Sequence, residues 1–504
     1  MILDLLSDTN AIKQLSQEKP QVVIVGSGAG GASVGYRLAA QGKDVVILEM
    51  GPKVGLEDFT ALPSQMYQKL YVNAGLTGTI GNGVIALPFS SGFGGTTTIN
   101  SGTCFRPPEK VMDDWRRSFG LKEVDTQALY AYCEQIETLL GIQPTHEGIS
   151  GKNNVLFAKG ANELGLKGNY IKRNAPACKG CGICCFGCPS GAKMSMERSF
   201  LPFASDHNAH IYTHAKLENI HINGSRVDEI QISVSGKDAS FSINIKVENL
   251  VLSGGAIFTP LLLKRQKNKG LSKNKMLGKN LRIHPATKVL ADFEEATFPA
   301  RGVPQAYYVD EYQDRGIMLE GASLPPDVGS VAVPYFGKKH AELMKRYNHL
   351  ASFGIMVSDT SHGVVYLRGK REFVLWYWLN RFDLDRFKFG LEEATRIYLA
   401  AGAKRIFLPT FPTVEIKGEE DLKAFKQAKL FARHLELAAF HPMGTCRMGV
   451  NPSSSVVDVN LKFHGLENLF IGDASIFPGS LGVNPQVSIM AFGYRLADYL
   501  RDCL

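Results

Sequence analysis

The 504-residue chain has little of several things, and each shortage narrows its class. No apolar run approaches the ~20 residues that a membrane-spanning helix needs, so no transmembrane segment is expected. The opening stretch MILDLLSDTNAIKQLSQEKP has acidic groups among its apolar ones, no basic start and no small-residue cleavage site, unlike a secretory signal. A cytoplasmic location is the expectation, with membrane association only through a partner. There is no internal repeat and no low-complexity tract. Tryptophan is scarce, and two of the three, Trp376 and Trp378, fall in one segment. Acidic residues are missing altogether from Lys264 to Arg282, where eight basic residues stand. That run reads as a solvated loop or as a docking patch for an acidic electron-acceptor protein or anionic surface. No aromatic residue is interleaved with its charges, so nucleic acid is not an expected partner.

What is present is the composition of a soluble globular protein, 44% hydrophobic and 21% charged. The length suffices for two large domains, or for one discontinuous domain carrying an insertion. Residues 21–25, QVVIV, form a β-branched run that leads directly into GSGAGG, a segment of helical spacing and a second strand pattern, DVVILE at 44–49. This is a βαβ opening with the G-x-G-x-x-G fingerprint of a dinucleotide site. Gly26 permits the tight turn, Gly28 lets the backbone approach a pyrophosphate, and Gly31 lets helix and strand pack closely. The helix N-terminus faces the phosphates, and Glu49 is placed to accept from a ribose hydroxyl.

Nine cysteines are present, and five of them lie in CKGCGICCFGCPSGAK at 178–193. In a reducing compartment such clusters serve metals or redox chemistry more often than disulfides. Cys178-x2-Cys181-x2-Cys184-x3-Cys188-Pro189 has the spacing of a ferredoxin run, so these four thiols are candidate ligands of an iron–sulfur cluster, [4Fe-4S] or [3Fe-4S]. Cys188, Cys185 or a remote thiol could supply the fourth ligand. Zinc and a metal-free loop are the alternatives.

Near the C-terminus LFIGDAS reads as a strand ending in Gly-Asp. It resembles flavoproteins, in which an aspartate there holds the ribityl or phosphate region of FAD. Several further motifs keep their order and spacing: Gly94-Gly95-Thr96-Thr97-Thr98-Ile99-Asn100, SGGAIFTPLLL at 253–263, LGKNLRIHP at 277–285, HPMGTCRMG at 441–449 and GDASIFPGSLGVNPQVSIMAFG at 472–493. Together they resemble the glucose-methanol-choline (GMC) oxidoreductase family over most of the chain.

The resemblance implies an α/β fold. A Rossmann-like FAD domain is expected at 18–295 and 441–504, carrying the cysteine-rich loop 178–193, with an inserted α+β substrate domain containing an antiparallel sheet at 296–440. It implies FAD against Gly94, Gly95, Asn100, Asp473, Ala474 and Pro485, and a catalytic pair, His441 and Asn484, near the flavin N5. The activity implied is that of an FAD-dependent alcohol dehydrogenase or oxidase, converting a CH–OH group to a carbonyl by hydride transfer to the flavin. A histidine titrating near neutral pH suits the base, and the Asn484 amide suits an oxyanion donor. His284 matches a position with a structural role. The middle segment EFVLWYWLNRFDLDRFKF, at 372–389, favours an apolar or long-chain alcohol over a sugar or polyol. Its aromatics could equally pack a sheet, and a flavin electron carrier or redox sensor without an alcohol substrate is the competing class.

Overall fold

The computed structural model describes residues 1–236, 240–266, 269–369 and 372–504, with the backbone alone at 269. The run VVIV forms the strand Val22–Val25, and Val22, Val23 and Ile24 are fully buried. Strands apolar on both faces belong in a parallel sheet covered on both sides. Here six strands run parallel in the order Ile2–Asp4, His210–Thr213, Val45–Leu48, Val22–Val25, Asn249–Leu252 and Leu469–Ile471. The two ends of the chain thus meet in one sheet, as the motifs at 26 and 473 require. The helices Ala29–Ala40 and Gln486–Cys503 lie against each other beside it. The contact is so close that a Cβ on Gly493 would sit 2.2 Å from Ser33 Oγ. An antiparallel meander, Lys216–Asn223, Arg226–Ser235 and Ser240–Lys246, stands apart from this sheet.

The second, larger sheet is mostly antiparallel. At its centre Leu350–Val357 pairs with Ala286–Asp292 on one side and Ile317–Gly321 on the other. The helix Arg381–Ala400 crosses this sheet with Phe387, Leu391, Ala394, Ile397 and Tyr398 fully buried. Gly390 permits the approach, since a Cβ there would lie 2.5 Å from Ile355 Cγ2.

Residues 296–440 supply the bulk of this sheet, but strands from earlier in the chain join it: Gly78–Gly81, Ile85–Ala86, Gly168–Tyr170 and Lys279–Leu281, besides Ala286–Asp292. Their physical role is to pair backbone that an isolated insertion would leave open. Gly78–Gly81 runs parallel to Glu372–Trp378 and satisfies its edge. Among the described residues no helix is long and apolar enough to cross a membrane.

Candidate active site

The parallel strands deliver their loops to one place. Gly26, at φ +107°, turns the chain out of the first strand, and a Cβ on it would meet the Ser253 carbonyl oxygen at 2.3 Å. The next helix then begins at Ala29 with Gly28 as its cap, so no side chain competes for its first N–H groups. Gly31 packs on Gly26, and Gly95 lies against Gly28. Glu49 is buried and accepts from Ser27 N (3.1 Å), Ser27 Oγ (2.6 Å) and Gly51 N (2.9 Å). Gly94 N donates to Ser27 Oγ at 3.0 Å, joining the two glycine loops. Asn100 donates to Gln486 Oε1 at 2.9 Å, at the first residue of the C-terminal helix, whose cap is Pro485. Asp473 accepts from Gly255 N, Thr259 Oγ1 and Ser475 N, and burial raises its carboxyl pKa despite these bonds. The Ala474 carbonyl accepts from Gly444 N, tying the segment of His441 to this floor. Two helix starts without side-chain caps and the unpartnered buried Ser475 Oγ and Ser488 Oγ leave donors for a ligand rich in acceptors. The motif residues from both ends of the chain therefore share one loop-lined floor.

A second cluster lies between this floor and the large sheet. Arg282 and Met443 exchange backbone hydrogen bonds of 2.9 and 2.8 Å, which sets the loop of His284 beside His441. His284 holds φ +48°, an uncommon conformation for a residue with a side chain. Asp359 pins that loop by accepting from Ile283 N, His284 N, Ser480 Oγ and Tyr377 Oη, the last at 2.7 Å. Gly482 N donates to His284 Nε2 at 2.9 Å, and His284 Nδ1 lies 3.2 Å from His441 Nδ1. On its other side, His441 Nε2 is 3.4 Å from Asn484 Nδ2.

Asn484 Nδ2 donates in turn to Glu320 Oε2 at 3.4 Å, and Gln305 Nε2 donates to the same oxygen at 3.3 Å. Glu320 Oε1 and Asn484 Oδ1 are buried without partners. Burial raises the Glu320 carboxyl to about 7, against the Asn484 hydrogen bond, which lowers it. Burial lowers His284 to about 3 and, with His284 beside it, holds His441 well below the ordinary imidazole range. The structure brings His441 and Asn484 together. It adds Glu320, Asp359 and Tyr377, which the motifs did not single out. For Glu320 the sequence held one cue, a lone acid in the otherwise apolar strand IMLEG.

The cysteine-rich loop is arranged differently. One buried guanidinium, Arg173, donates from Nη1 to Cys178 Sγ (3.4 Å) and from Nη2 to Cys184 Sγ (3.2 Å). Cys188 Sγ lies 3.4 Å from Ser190 Oγ and accepts from Lys193 N at 3.4 Å. Burial resists ionisation of Cys188, but Ser190 and Lys193 bring its pKa below the usual thiol value. Cys181 is exposed, and Cys185 Sγ sits 3.8 Å from Ser101 Oγ. The buried Lys193 ammonium donates to the carbonyls of Thr98 (2.8 Å), Asn100 (2.7 Å) and Cys184 (3.1 Å), fastening the loop to the flank of the glycine segment. Among the described residues no three His, Cys, Asp or Glu side chains converge as a metal requires. The expected Cys178, Cys181, Cys184 and Cys188 set is therefore not assembled: its thiols are spent on an arginine, a serine, backbone and solvent. This donor set does not fit an iron–sulfur cluster as it stands.

The aromatic segment divides. Trp376 and Trp378 stack on one face with ring centroids 6.3 Å apart, Trp378 is exposed, and Tyr377 between them points inward to Asp359. Phe387 belongs to the helix core and Phe389 packs on Tyr312, so no single aromatic wall forms. In the basic run, Lys264 donates to the Val365 carbonyl and Arg282 to those of Asp359 and Ser361, while Lys273, Lys275 and Lys279 face solvent. Lys267 and the Lys269 side chain lie outside the described residues.

Comparison with known proteins adds to this geometry. The family model described as GMC oxidoreductase matches residues 67–286 with its N-terminal part and 359–493 with its C-terminal part. A model of an NAD(P)-binding Rossmann-like domain matches 24–62. The chain is 36% identical over 495 residues to the uncharacterized GMC-type oxidoreductase Rv0492c of Mycobacterium tuberculosis, covering 96% of this chain and 77% of that protein. It is 29% identical over 513 residues to long-chain-alcohol oxidase FAO3 of Arabidopsis thaliana, covering 95% and 67%. Among solved structures it is similar in fold to a pyridoxine 4-oxidase from Mesorbium loti, at 18% identity and TM-score 0.73 over 96% of this chain and 99% of that one. A formate oxidase follows at 17% identity and TM-score 0.70, over 96% and 98%.

Proposed function

Because the chain belongs to the GMC oxidoreductase family, we propose that it binds FAD and oxidises the CH–OH group of an alcohol to a carbonyl, with His441 and Asn484 at the reacting oxygen. The observation that carries this reading is the meeting of an imidazole and an amide beside two unpartnered buried oxygens, those of Glu320 and Asn484. A buried polar atom without a partner loses stability that a ligand restores, so the site is built to receive a hydroxyl.

In this reading residues 18–295 and 441–504 form the FAD-binding unit and 296–440 the substrate side. Gly26, Gly28 and Gly31 with the helix start at Ala29 take the pyrophosphate. Glu49 would accept from a ribose hydroxyl, and Asp473 with Ala474 would hold the ribityl region. Gly94, Gly95 and Asn100 would line the flavin, and the helix that follows Pro485 would offer it free N–H groups. The bound flavin supplies the acceptor for the hydride of the carbinol carbon. The protein's own groups hold the hydroxyl, order its proton and keep water from competing.

The substrate class is an apolar or long-chain alcohol. The relationship to a protein named a long-chain-alcohol oxidase supports it. Anaerobic mixing of the protein with a fatty alcohol or with glucose, followed by the flavin spectrum, tests both levels. Bleaching by the fatty alcohol is expected. A strong preference for glucose overturns the substrate class, and no bleaching by any alcohol favours an electron carrier.

A further inference from the structure

We propose that the protein docks directly on an anionic lipid bilayer through a belt of exposed apolar side chains centred on Phe336, Phe411 and Phe431. These residues belong neither to the glycine-loop floor nor to the histidine cluster, and the docking stands whether or not the chain oxidises an alcohol.

Phe336 is 82% exposed, Val84 75%, Phe411 43% and Phe431 40%. An exposed apolar side chain is ordinary when it stands alone, whereas a contiguous set marks a contact surface. Here the links are explicit. The Phe336 and Phe411 rings stack with centroids 6.3 Å apart, and the Thr413 hydroxyl donates to the Pro334 carbonyl, fastening the two segments together. Phe411 N donates to the His434 carbonyl at 2.8 Å, and the His434 ring lies 5.2 Å from that of Phe431. Ala432 abuts the next turn, where a Cβ on Gly83 would come within 3.0 Å of the Ala432 carbonyl oxygen, and Val84 projects from that turn. In the same turn Asn82 brackets Leu379 with two hydrogen bonds of 2.7 and 3.0 Å, which carries the exposed Trp378 up to it.

Basic groups rim the belt. Lys339 Nζ lies 5.6 Å from the Tyr335 ring centroid, and Arg433 Cζ lies 5.0 Å from that of Phe431. Across 326–345 and 428–434 five exposed bases, Lys338, Lys339, Lys345, Lys429 and Arg433, stand against two exposed acids, Asp327 and Glu342. Aromatic rings alongside cations suit the boundary between acyl chains and anionic headgroups, where the rings leave water and the cations meet phosphate. A second copy of the chain fits less well, because a two-fold contact of this patch with itself would set its cations against one another. An acidic protein surface would pair the cations and leave the phenyl rings without apolar partners. Among the described residues no helix is long and apolar enough to cross a membrane, so the attachment is peripheral. The sequence led to membrane association only through a partner; the belt supplies a direct route. Taken with the alcohol-oxidising reading, its use is supply, since an apolar alcohol dissolves in the same bilayer that would hold the protein.

The test is co-sedimentation of the flavin-loaded full chain with vesicles of phosphatidylcholine alone, or of phosphatidylcholine mixed with phosphatidylglycerol. Binding to the mixed vesicles and little to the neutral ones is expected. Phe336→Ser with Phe411→Ser should weaken it about 10-fold or more. Lys339→Glu with Arg433→Glu should weaken it about 10-fold, an effect that added salt reproduces. These side chains are exposed, so circular dichroism should match the wild type, and alcohol-dependent flavin reduction without vesicles should be the same in every variant. On vesicles the tryptophan emission should move to shorter wavelength, and the shift should shrink in Trp378→Phe. No binding, equal binding to both vesicles, binding that neither pair of substitutions weakens, or bound protein with unshifted emission overturns the proposal. Binding lost instead in Lys273→Glu with Lys275→Glu also overturns it, by moving the contact to the basic run. A lipid-free dimer that Phe336→Ser dissociates does so too, by giving the belt to a second copy.

Discussion

Two of the buried polar clusters near the glycine loops, the one around Arg173 and Lys193 and the one around His441, are built on opposite terms. Around Arg173 and Lys193 the cationic donors are consumed internally: the guanidinium takes two thiols and the Ser101 carbonyl, and the ammonium takes three carbonyls. Around His441 they are left over, with a carboxylate oxygen and an amide oxygen buried and unpaired. A satisfied cluster holds the fold, whereas an unsatisfied one holds its atoms in reserve for a ligand. The comparison separates a loop that looks reactive in sequence from a site that is reactive in arrangement.

The largest expected effect falls on the unsatisfied cluster. His441→Ala should keep bound FAD and lose alcohol-dependent flavin reduction by about 100- to 10,000-fold, measured by anaerobic stopped-flow. The helix starts and glycine loops that would hold the cofactor do not include this ring. A rate within a few-fold of wild type would remove His441 from the chemistry and erase the contrast.

Next comes a change in the satisfied cluster. Lys193→Met leaves the carbonyls of Thr98, Asn100 and Cys184 without their donor in a buried place, at a cost of about 3–4 kcal/mol of unfolding free energy. Denaturant midpoints with an unchanged slope would register it. Because Lys193 fastens the cysteine loop to the 98–100 segment, weakened flavin retention should accompany the loss. Full stability would mean that this cluster is not the structural one.

The two clusters also differ in how legible they were. The βαβ opening could be read because glycine spacing, strand pattern and Glu49 report one local geometry, and the C-terminal motif because Asn484 and His441 lie in runs with fixed spacing. Glu320 could not be read that way. Its meaning comes from a strand register that sets it across from Tyr308 and beside Asn484, 164 positions away in the chain. Asp359 and Tyr377 escaped for the same reason. The cysteine run misled in the opposite direction, since spacing alone reports which thiols could reach one another and is silent on a buried arginine arriving from Arg173 to occupy them. The boundary at 296 marked a change of texture, but sheet edges recruited Gly78–Gly81 and Lys279–Leu281 from before it because unpaired strands demand partners.

A reserve of unpaired atoms has a stability cost that depends on pH. The Glu320 pKa rises from 4.5 to about 7 on folding, so between those values the folded chain binds the proton and the unfolded chain does not. The stabilisation is fully present below 4.5 and is lost as pH rises through about 7, a change of up to about 3 kcal/mol. Glu320→Gln should accordingly gain stability relative to the wild type above neutral pH and lose that advantage in mild acid. Melts of the two proteins across this range check it, and a constant difference would show that the carboxylate is already paired.

Tyr377→Phe probes the bracket that joins the sheet to the histidine loop. Removing the hydroxyl leaves the Asp359 carboxylate with three of its four hydrogen-bond donors, for a loss of about 1 kcal/mol. A thermal melt measures that loss. The alcohol reaction should slow by a few-fold as His284 shifts behind His441.

The smallest effect is expected where the sequence promised most. Cys178→Ser keeps a small polar group against Arg173 and should cost under about 1 kcal/mol, with no change in the visible spectrum. Protein purified anaerobically should likewise contain no stoichiometric acid-labile sulfide. Sulfide bound at one cluster per chain, lost in Cys178→Ser, would invert the comparison: the thiols would then be the ligand-receiving groups, and Arg173 and Lys193 the buried cations that balance an anionic cluster. Its absence, together with intact alcohol chemistry in the same variant, would leave the loop as a brace whose thiols were placed for packing and hydrogen bonding.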